Sequence, residues 1–168
     1  MLGISINGSR NIEEFSEEIS NFPHLGDFNL MTLGFIFRNN RTEVALIQKS
    51  RPEWQKDKLN GIGGKANKDE TPLACIRREC LEECGLNISD WKISTILAGD
   101  KCDWAVVVFY TDLQPDQPSN LVNSDSTEPV KWVTVTDLPK MHTLDNIQWL
   151  IPMIIYDKNI GMNMAIYQ

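Results

Sequence analysis

Hydrophobic residues along the chain recur in two patterns, one at helical spacing and one at strand spacing. Ile12, Phe15 and Ile19 stand at helical intervals behind Asn11, which is placed to cap them. A short amphipathic helix is therefore predicted over 11–20, broken by Pro23 and Gly26. Leu30–Phe37 and Glu43–Gln48 are strand-like runs around the turn Arg38-Asn-Asn-Arg-Thr42, the signature of a hairpin. A polar loop from Lys49 to Lys58 leads to the glycine cluster Gly61-Ile-Gly-Gly64. Helical spacing returns over 72–84, where Leu73, Ile76, Cys80 and Cys84 form one apolar stripe. Thr71 is placed as its N-cap, Pro72 at its first position and Gly85 just past its end. Trp91–Leu97, Trp104–Tyr110 and Val130–Val135 are rich in β-branched and aromatic residues and read as strands, with a polar loop over 113–129. Thr143–Tyr156 reads as a closing helix that Pro152 is expected to kink. Strands before and after a central helix, mostly hairpin-linked, predict a mixed α/β sandwich rather than a doubly wound fold. Residues 1–28 are read as an extension packed on a domain spanning 29–168.

Composition narrows the class. The 168 residues suit one domain and bury enough surface to fold without a disulfide or structural metal. Sixteen Lys and Arg against 23 Asp and Glu give a formal charge of -7, which argues against a nucleic-acid binder. No apolar run approaches the roughly 20 residues of a transmembrane helix, so no membrane span is expected. The first ten residues do not read as a signal peptide. Cys75, Cys80, Cys84 and Cys102 lack the paired spacing of a zinc site. They are read as structural thiols in a reducing cytoplasm.

The chemistry gathers on the 72–84 helix. Glu79, Glu82 and Glu83 share an arc of about 100° away from the apolar stripe. Like charges one turn apart repel, and Arg78, one turn before Glu82, offsets only part of this. Surface helices often carry such glutamates on a solvated face. Mg²⁺, however, is held by a few carboxylates with waters and substrate phosphates, and a divalent ion would remove the repulsion. Just upstream, Gly63 and Gly64 let backbone groups approach a metal or a phosphate.

Residues 64–86 resemble the Nudix box, G-x5-E-x7-R-E-U-x-E-E-x-G-U, where U is a bulky apolar residue. Gly64, Glu70, Arg78, Glu79, Cys80, Glu82, Glu83, Gly85 and Leu86 occupy its defined positions, Cys80 being smaller than the usual side chain there. The resemblance implies a three-layer α/β/α Nudix domain with a mixed sheet over 29–168. It implies hydrolysis of a nucleoside diphosphate linked to another moiety, with Mg²⁺ or Mn²⁺ as cofactor. It assigns metal binding to Glu79, Glu82, Glu83 and the Gly63 carbonyl. Glu70 and Arg78 become a bracing pair that also orients Glu79. Glu82 or Glu83 is a candidate general base. Some members use a glutamate from a later loop, and Glu128 stands in a similar place.

The box leaves the substrate open. Asn60-Gly-Ile-Gly-Gly-Lys65, Trp132, Leu138-Pro139, Asp145-Asn146, Trp149 and Pro152 are similar to features of oxidised-purine nucleoside triphosphatases. That likeness implies Asn60, Asp145 and Asn146 at a purine edge, where groups left unpaired would reject the wrong base. Asn146 departs from it, standing where a second acid is usual. Lys49, Arg51 and Lys65 flank the glycine cluster and are candidates to meet the triphosphate. Markers of the ADP-ribose, nicotinamide-dinucleotide and coenzyme A groups are not found. Trp54, Trp91 and Trp104 are expected in the core, and neither His24 nor His142 is given a catalytic role. The reading is thus a Mg²⁺-dependent pyrophosphohydrolase acting on a small (deoxy)nucleoside triphosphate, as a monomer or homodimer in the cytoplasm. Hydrolysis of ADP-ribose, a nucleotide sugar or a capped RNA end is the first competitor. A catalytically silent nucleotide-binding module is the second, and the intact Glu79, Glu82 and Glu83 argue against it.

Overall fold

The computed structural model describes residues 29–99, 103–115, 117–122, 127–156 and, as backbone, 163–167. The helix expected over 11–20, the rest of the 1–28 extension and Cys102 lie outside the described residues. Seven strands form one mixed sheet: β1 (Asn29–Arg38), β2 (Glu43–Gln48), β3 (Leu59–Asn60), β4 (Lys92–Gly99), β5 (Trp104–Asp112), β6 (Val130–Thr134) and β7 (Asn163–Tyr167). The order is β3-β2-β1-β5-β4-β7, and β6 also pairs with β2. β1 and β2 form the expected hairpin, but β1 runs parallel to β5 and β4 parallel to β7. Among the described residues two α-helices, α1 (Pro72–Cys84) and α2 (Ile147–Tyr156), flank the sheet.

Strand alternation divides the core in two. Leu33, Phe35 and Phe37 of β1, with Val44 and Leu46 of β2, join Ile147, Leu150, Ile151 and Ile154 of α2 on one face. Ile36, Ala45 and Ile47 turn to the other face and meet Leu73, Ile76, Cys80 and Cys84 of α1. The result is the three-layer α/β/α sandwich. Trp91 is buried there and meets Phe109 edge to face at 6.4 Å. Among the described residues no helix is long and apolar enough to cross a membrane.

α1 forms where its punctuation directs. The Thr71 side chain accepts from the Ala74 N–H, Pro72 opens the helix, and Gly85 closes it at φ 72° with its N–H on the Leu81 carbonyl. Other elements depart from the sequence pattern. The closing helix begins at Ile147 rather than Thr143, because the Leu59 N–H donates to the His142 carbonyl and the Leu144 N–H to the Leu59 carbonyl. That pairing commits 142–144 to an extended form. Pro152 sits inside α2 without ending it. Val135, expected at the end of the strand over 130–135, opens a 3₁₀ turn over Val135–Lys140. Trp54 is not core: it lies on the short 3₁₀ turn Glu53–Gln55 and is 65% exposed, because that turn buries none of its residues.

One irregularity positions the site. β1 and β2 pair only from Ile36↔Ala45 outward to the turn. Closer to Gly34 the two strands part, and segment 59–65 fills the gap. Its first residues pair with Ile47 and Gln48 of β2, and it then bridges Gly34 and Met31 of β1 through Ile62 and Lys65. Three backbone hydrogen bonds of 2.6–3.0 Å zip it to β1, Gly34 N–H to Ile62, Ile62 N–H to Gly34 and Thr32 N–H to Gly64, and a fourth from the next residue, Ala66 N–H to Leu30, continues the row.

Candidate active site

Segment 59–65 lays its glycines against the carboxylates of α1. The Gly63 N–H donates to Glu83 Oε2 at 2.8 Å. A Cβ added to Gly64 would lie 2.6 Å from Glu79 Oε1, so the absence of a side chain leaves that carboxylate its room. Gly63 itself has φ +142°, and a Cβ there would fall 2.2 Å from the Thr32 carbonyl oxygen. Gly63→Ala is expected to lower stability by about 2–4 kcal/mol, since both the backbone conformation and the contact are forbidden. Urea unfolding measures this, and an unchanged midpoint would mean that the segment is not docked on β1 in solution.

Arg78 organises the acids on its side. Its Nε and Nη2 make a two-pronged pair with Glu70 at 2.8 and 3.0 Å. Nη1 donates to Glu79 at 2.6 Å and to Glu82 at 3.2 Å, while Nη2 also reaches the Lys65 carbonyl at 3.3 Å. The Arg78 bond, helped by the Asn67 N–H, holds the Glu70 carboxyl below the usual range. The same pairing raises Arg78, so this guanidinium stays charged. Beneath Gly64, burial pushes the Cys75 thiol up to about 11, and it remains a neutral neighbour.

Glu83 faces a second group. Burial raises its carboxyl to about 7, against the opposing pull of the Gly63 N–H and Lys49, with Glu79 and Glu128 adding repulsion. Lys49 Nζ lies 3.7 Å from Glu83 Oε1 and 2.5 Å from Glu128 Oε2. Glu128 is buried rather than solvated in its loop. Its Oε1 accepts from the Ser50 N–H at 2.7 Å, the Ser50 hydroxyl at 3.0 Å and the Arg51 N–H at 3.3 Å. Burial opposes its charge, but the Lys49 and Ser50 bonds outweigh that and leave it below the ordinary carboxylate range. The sequence carried no local sign of this clamp: Ser50 was unmarked, and Lys49 and Glu128 lie far apart along the chain.

The pairing of Leu59 with 142–144 brings the start of segment 59–65 to the stretch that leads into Asp145-Asn146. Asn60 Oδ1 accepts from the Gly61 N–H at 2.9 Å, and its amide nitrogen donates to Gln55 Oε1 at 3.4 Å. Asp145 is exposed, and the Asn146 carbonyl accepts from Trp149 and Leu150 as α2 begins. Lys65 is exposed beside the glycines, and Arg51 is exposed where the Glu128 clamp holds its N–H.

Among the described residues no three His, Cys, Asp or Glu side chains stand grouped as a ready metal site. Glu79 and Glu82 hold Arg78, and Glu83 holds Gly63 and Lys49. The donors are nevertheless oxygens suited to a hard divalent cation. The room beside Gly64 for the Glu79 carboxylate, and the contact of Gly63 with Glu83, place two of them at adjacent backbone positions. The residues therefore fit such an ion.

The family model described as the NUDIX domain matches residues 29–151, and the chain belongs to that family. Solved structures of the same fold include the mutator MutT protein from Bacillus halodurans, with 16% identity, a TM-score of 0.65, and coverage of 84% of this chain and 91% of that one. Another is the NUDIX domain of Shewanella oneidensis NrtR complexed with ADP ribose, at 15% identity and a TM-score of 0.65, covering 83% and 95%. A third is a bifunctional NMN adenylyltransferase/ADP ribose pyrophosphatase from Francisella tularensis, at 18% identity and a TM-score of 0.60, covering 87% and 45%. No curated protein matches the chain at a significant level. The chain is a Nudix hydrolase, an enzyme of the class that acts on nucleoside diphosphate derivatives and generally uses divalent metal ions.

Proposed function

We propose that this hydrolase cleaves a purine (deoxy)nucleoside triphosphate to the monophosphate and pyrophosphate with Mg²⁺ as its ion. The observation that carries the reading is the course of segment 59–65. One short run pairs Leu59, next to Asn60, with Thr143, two residues before Asp145, and lays Gly63-Gly64 against Glu83 and Glu79. Three residues of chain span at most about 10 Å, the order of the reach from a base edge to the phosphates of one nucleotide. Asn60, Asp145 and Asn146 would pair with the base edge. Lys65 and Arg51 would meet the phosphates. Glu79, Glu82, Glu83 and the Gly63 carbonyl would hold the ion. When bound, the ion polarises a phosphate and lowers the pKa of a bound water. Arg78 keeps Glu79 oriented and braces the turn at Lys65. Glu83 Oε1, whose partner oxygen is held by Gly63, accepts the proton of the attacking water. Glu128, with both oxygens engaged, acts as a positioning residue for 49–51.

Residues 29–168 are read as one domain with 1–28 as an extension of it. The buried free thiols Cys75, Cys80 and Cys84 support a reducing compartment such as the cytoplasm. The test is a hydrolysis screen over nucleoside triphosphates, dinucleotides, ADP-ribose and sugar nucleotides, with Mg²⁺ and with chelator. Chelator-sensitive release of pyrophosphate from a purine triphosphate is expected. Turnover of ADP-ribose with triphosphates untouched would replace this substrate by the one seen in the Shewanella oneidensis structure. Asn60→Ala and Asp145→Ala are each expected to raise KM for the purine substrate by about ten- to a hundredfold, with little change in thermal midpoint. If both leave base preference unaltered, the base pocket is elsewhere.

A further inference from the structure

Among the described residues Arg78 and Lys49 pair with the acids of the candidate site, and they are held differently. Arg78 is locked: a planar guanidinium spread over Glu70, Glu79, Glu82 and the Lys65 carbonyl. Lys49 is held at its root, in the backbone, and at its ammonium by two carboxylates. Its N–H donates to the Lys58 carbonyl at 2.9 Å, and its own carbonyl accepts from the Asp57 N–H at 2.8 Å. Beyond that root runs a four-carbon stem ending in a point charge. The ammonium stands between Glu128 at 2.5 Å and Glu83 at 3.7 Å. The three further donors to Glu128, from Ser50 and Arg51, all fall on Oε1, so that oxygen stays held without the lysine, whereas Lys49 is the described partner of Oε2. Glu83 keeps only the Gly63 N–H among the bonds described above.

We propose that Lys49 is a tethered counter-ion of the acidic pocket, whose ammonium holds Glu83 and Glu128 together and must withdraw when a divalent cation binds. This rests on the metal reading given above. Removing the positive charge takes away a competitor for Glu83 and leaves the acids in greater need of a cation. Metal affinity and lysine occupancy are thus linked with opposite sign.

The experiment is Mn²⁺ binding to the full chain without nucleotide, followed by calorimetry and by the electron paramagnetic resonance of free Mn²⁺. Lys49→Gln is expected to bind Mn²⁺ about tenfold more tightly than wild type. Lys49→Met, which keeps the stem, carries the same expectation should the glutamine variant not fold. Lys49→Arg, which keeps the charge, is expected to stay within about twofold of wild type. In chelator the neutral variants are expected to melt below wild type, and saturating Mn²⁺ is expected to close that gap. Unchanged or weaker Mn²⁺ binding in the neutral variants overturns the counter-ion role. If wild type binds Mn²⁺ and Glu83→Gln does not, while Lys49→Gln leaves affinity unmoved, only this role fails. If wild type binds no Mn²⁺, the metal reading falls with it.

Discussion

Glu83→Gln is expected to lower kcat by at least about a hundredfold and, in chelator at pH 8, to make the protein more stable than wild type. The first effect follows from losing a proposed ligand and proton acceptor. The second follows from burial. Without metal the folded state raises the Glu83 carboxyl from 4.5 to about 7. Between those values the folded protein holds a proton that the unfolded chain has released. Stability therefore falls as pH rises through that window and levels off above it. The penalty is up to about 3 kcal/mol, and glutamine, neutral throughout, avoids it while still accepting from the Gly63 N–H. Urea unfolding in chelator across pH 5–8 should show a downward slope for wild type that the variant lacks. Parallel slopes would sink the assignment of the cost to this side chain.

Arg78→Met should be nearly as damaging, by a different route. It leaves Glu70 and Glu79, whose side chains are only 13% and 14% exposed, without the cation that both now share. A stability loss of about 2–4 kcal/mol is expected, reduced from that of a fully buried pair because Arg78 itself is partly solvated. The Mg²⁺ needed for half-maximal rate should rise by about tenfold or more, as when a group that orients metal ligands is removed. A Mg²⁺ titration of initial rates decides this. An unchanged half-saturation would mean that Arg78 is a brace for stability and does not aim Glu79.

The helix bearing Glu79, Glu82 and Glu83 was legible because its signals are local. Thr71, Pro72 and Gly85 bracket an apolar stripe whose period needs no tertiary information. The β1–β2 hairpin was legible for the same reason. The parallel pairing of β1 with β5 was not, because strands far apart in sequence choose partners by packing on both faces. β3 has only two residues, too few for any period to declare itself. The late start of α2 escaped because Thr143 and Leu144 carry a helical pattern that backbone pairing with Leu59 overrides. The box residues were read from their spacing, whereas the Lys49–Glu128–Ser50 clamp exists only once 48–51 meets the end of the 113–129 loop.

Segment 59–65 is irregular in shape, yet it occupies the place of a strand between β1 and β2, hydrogen-bonded on both sides. Energetically it is therefore no loop. The amides of Thr32, Gly34 and Ile62 are bonded across β1 and this segment, so freeing them means parting the segment from β1. The backbone that faces the acids is thus expected to exchange its amide protons as slowly as the sheet that holds it.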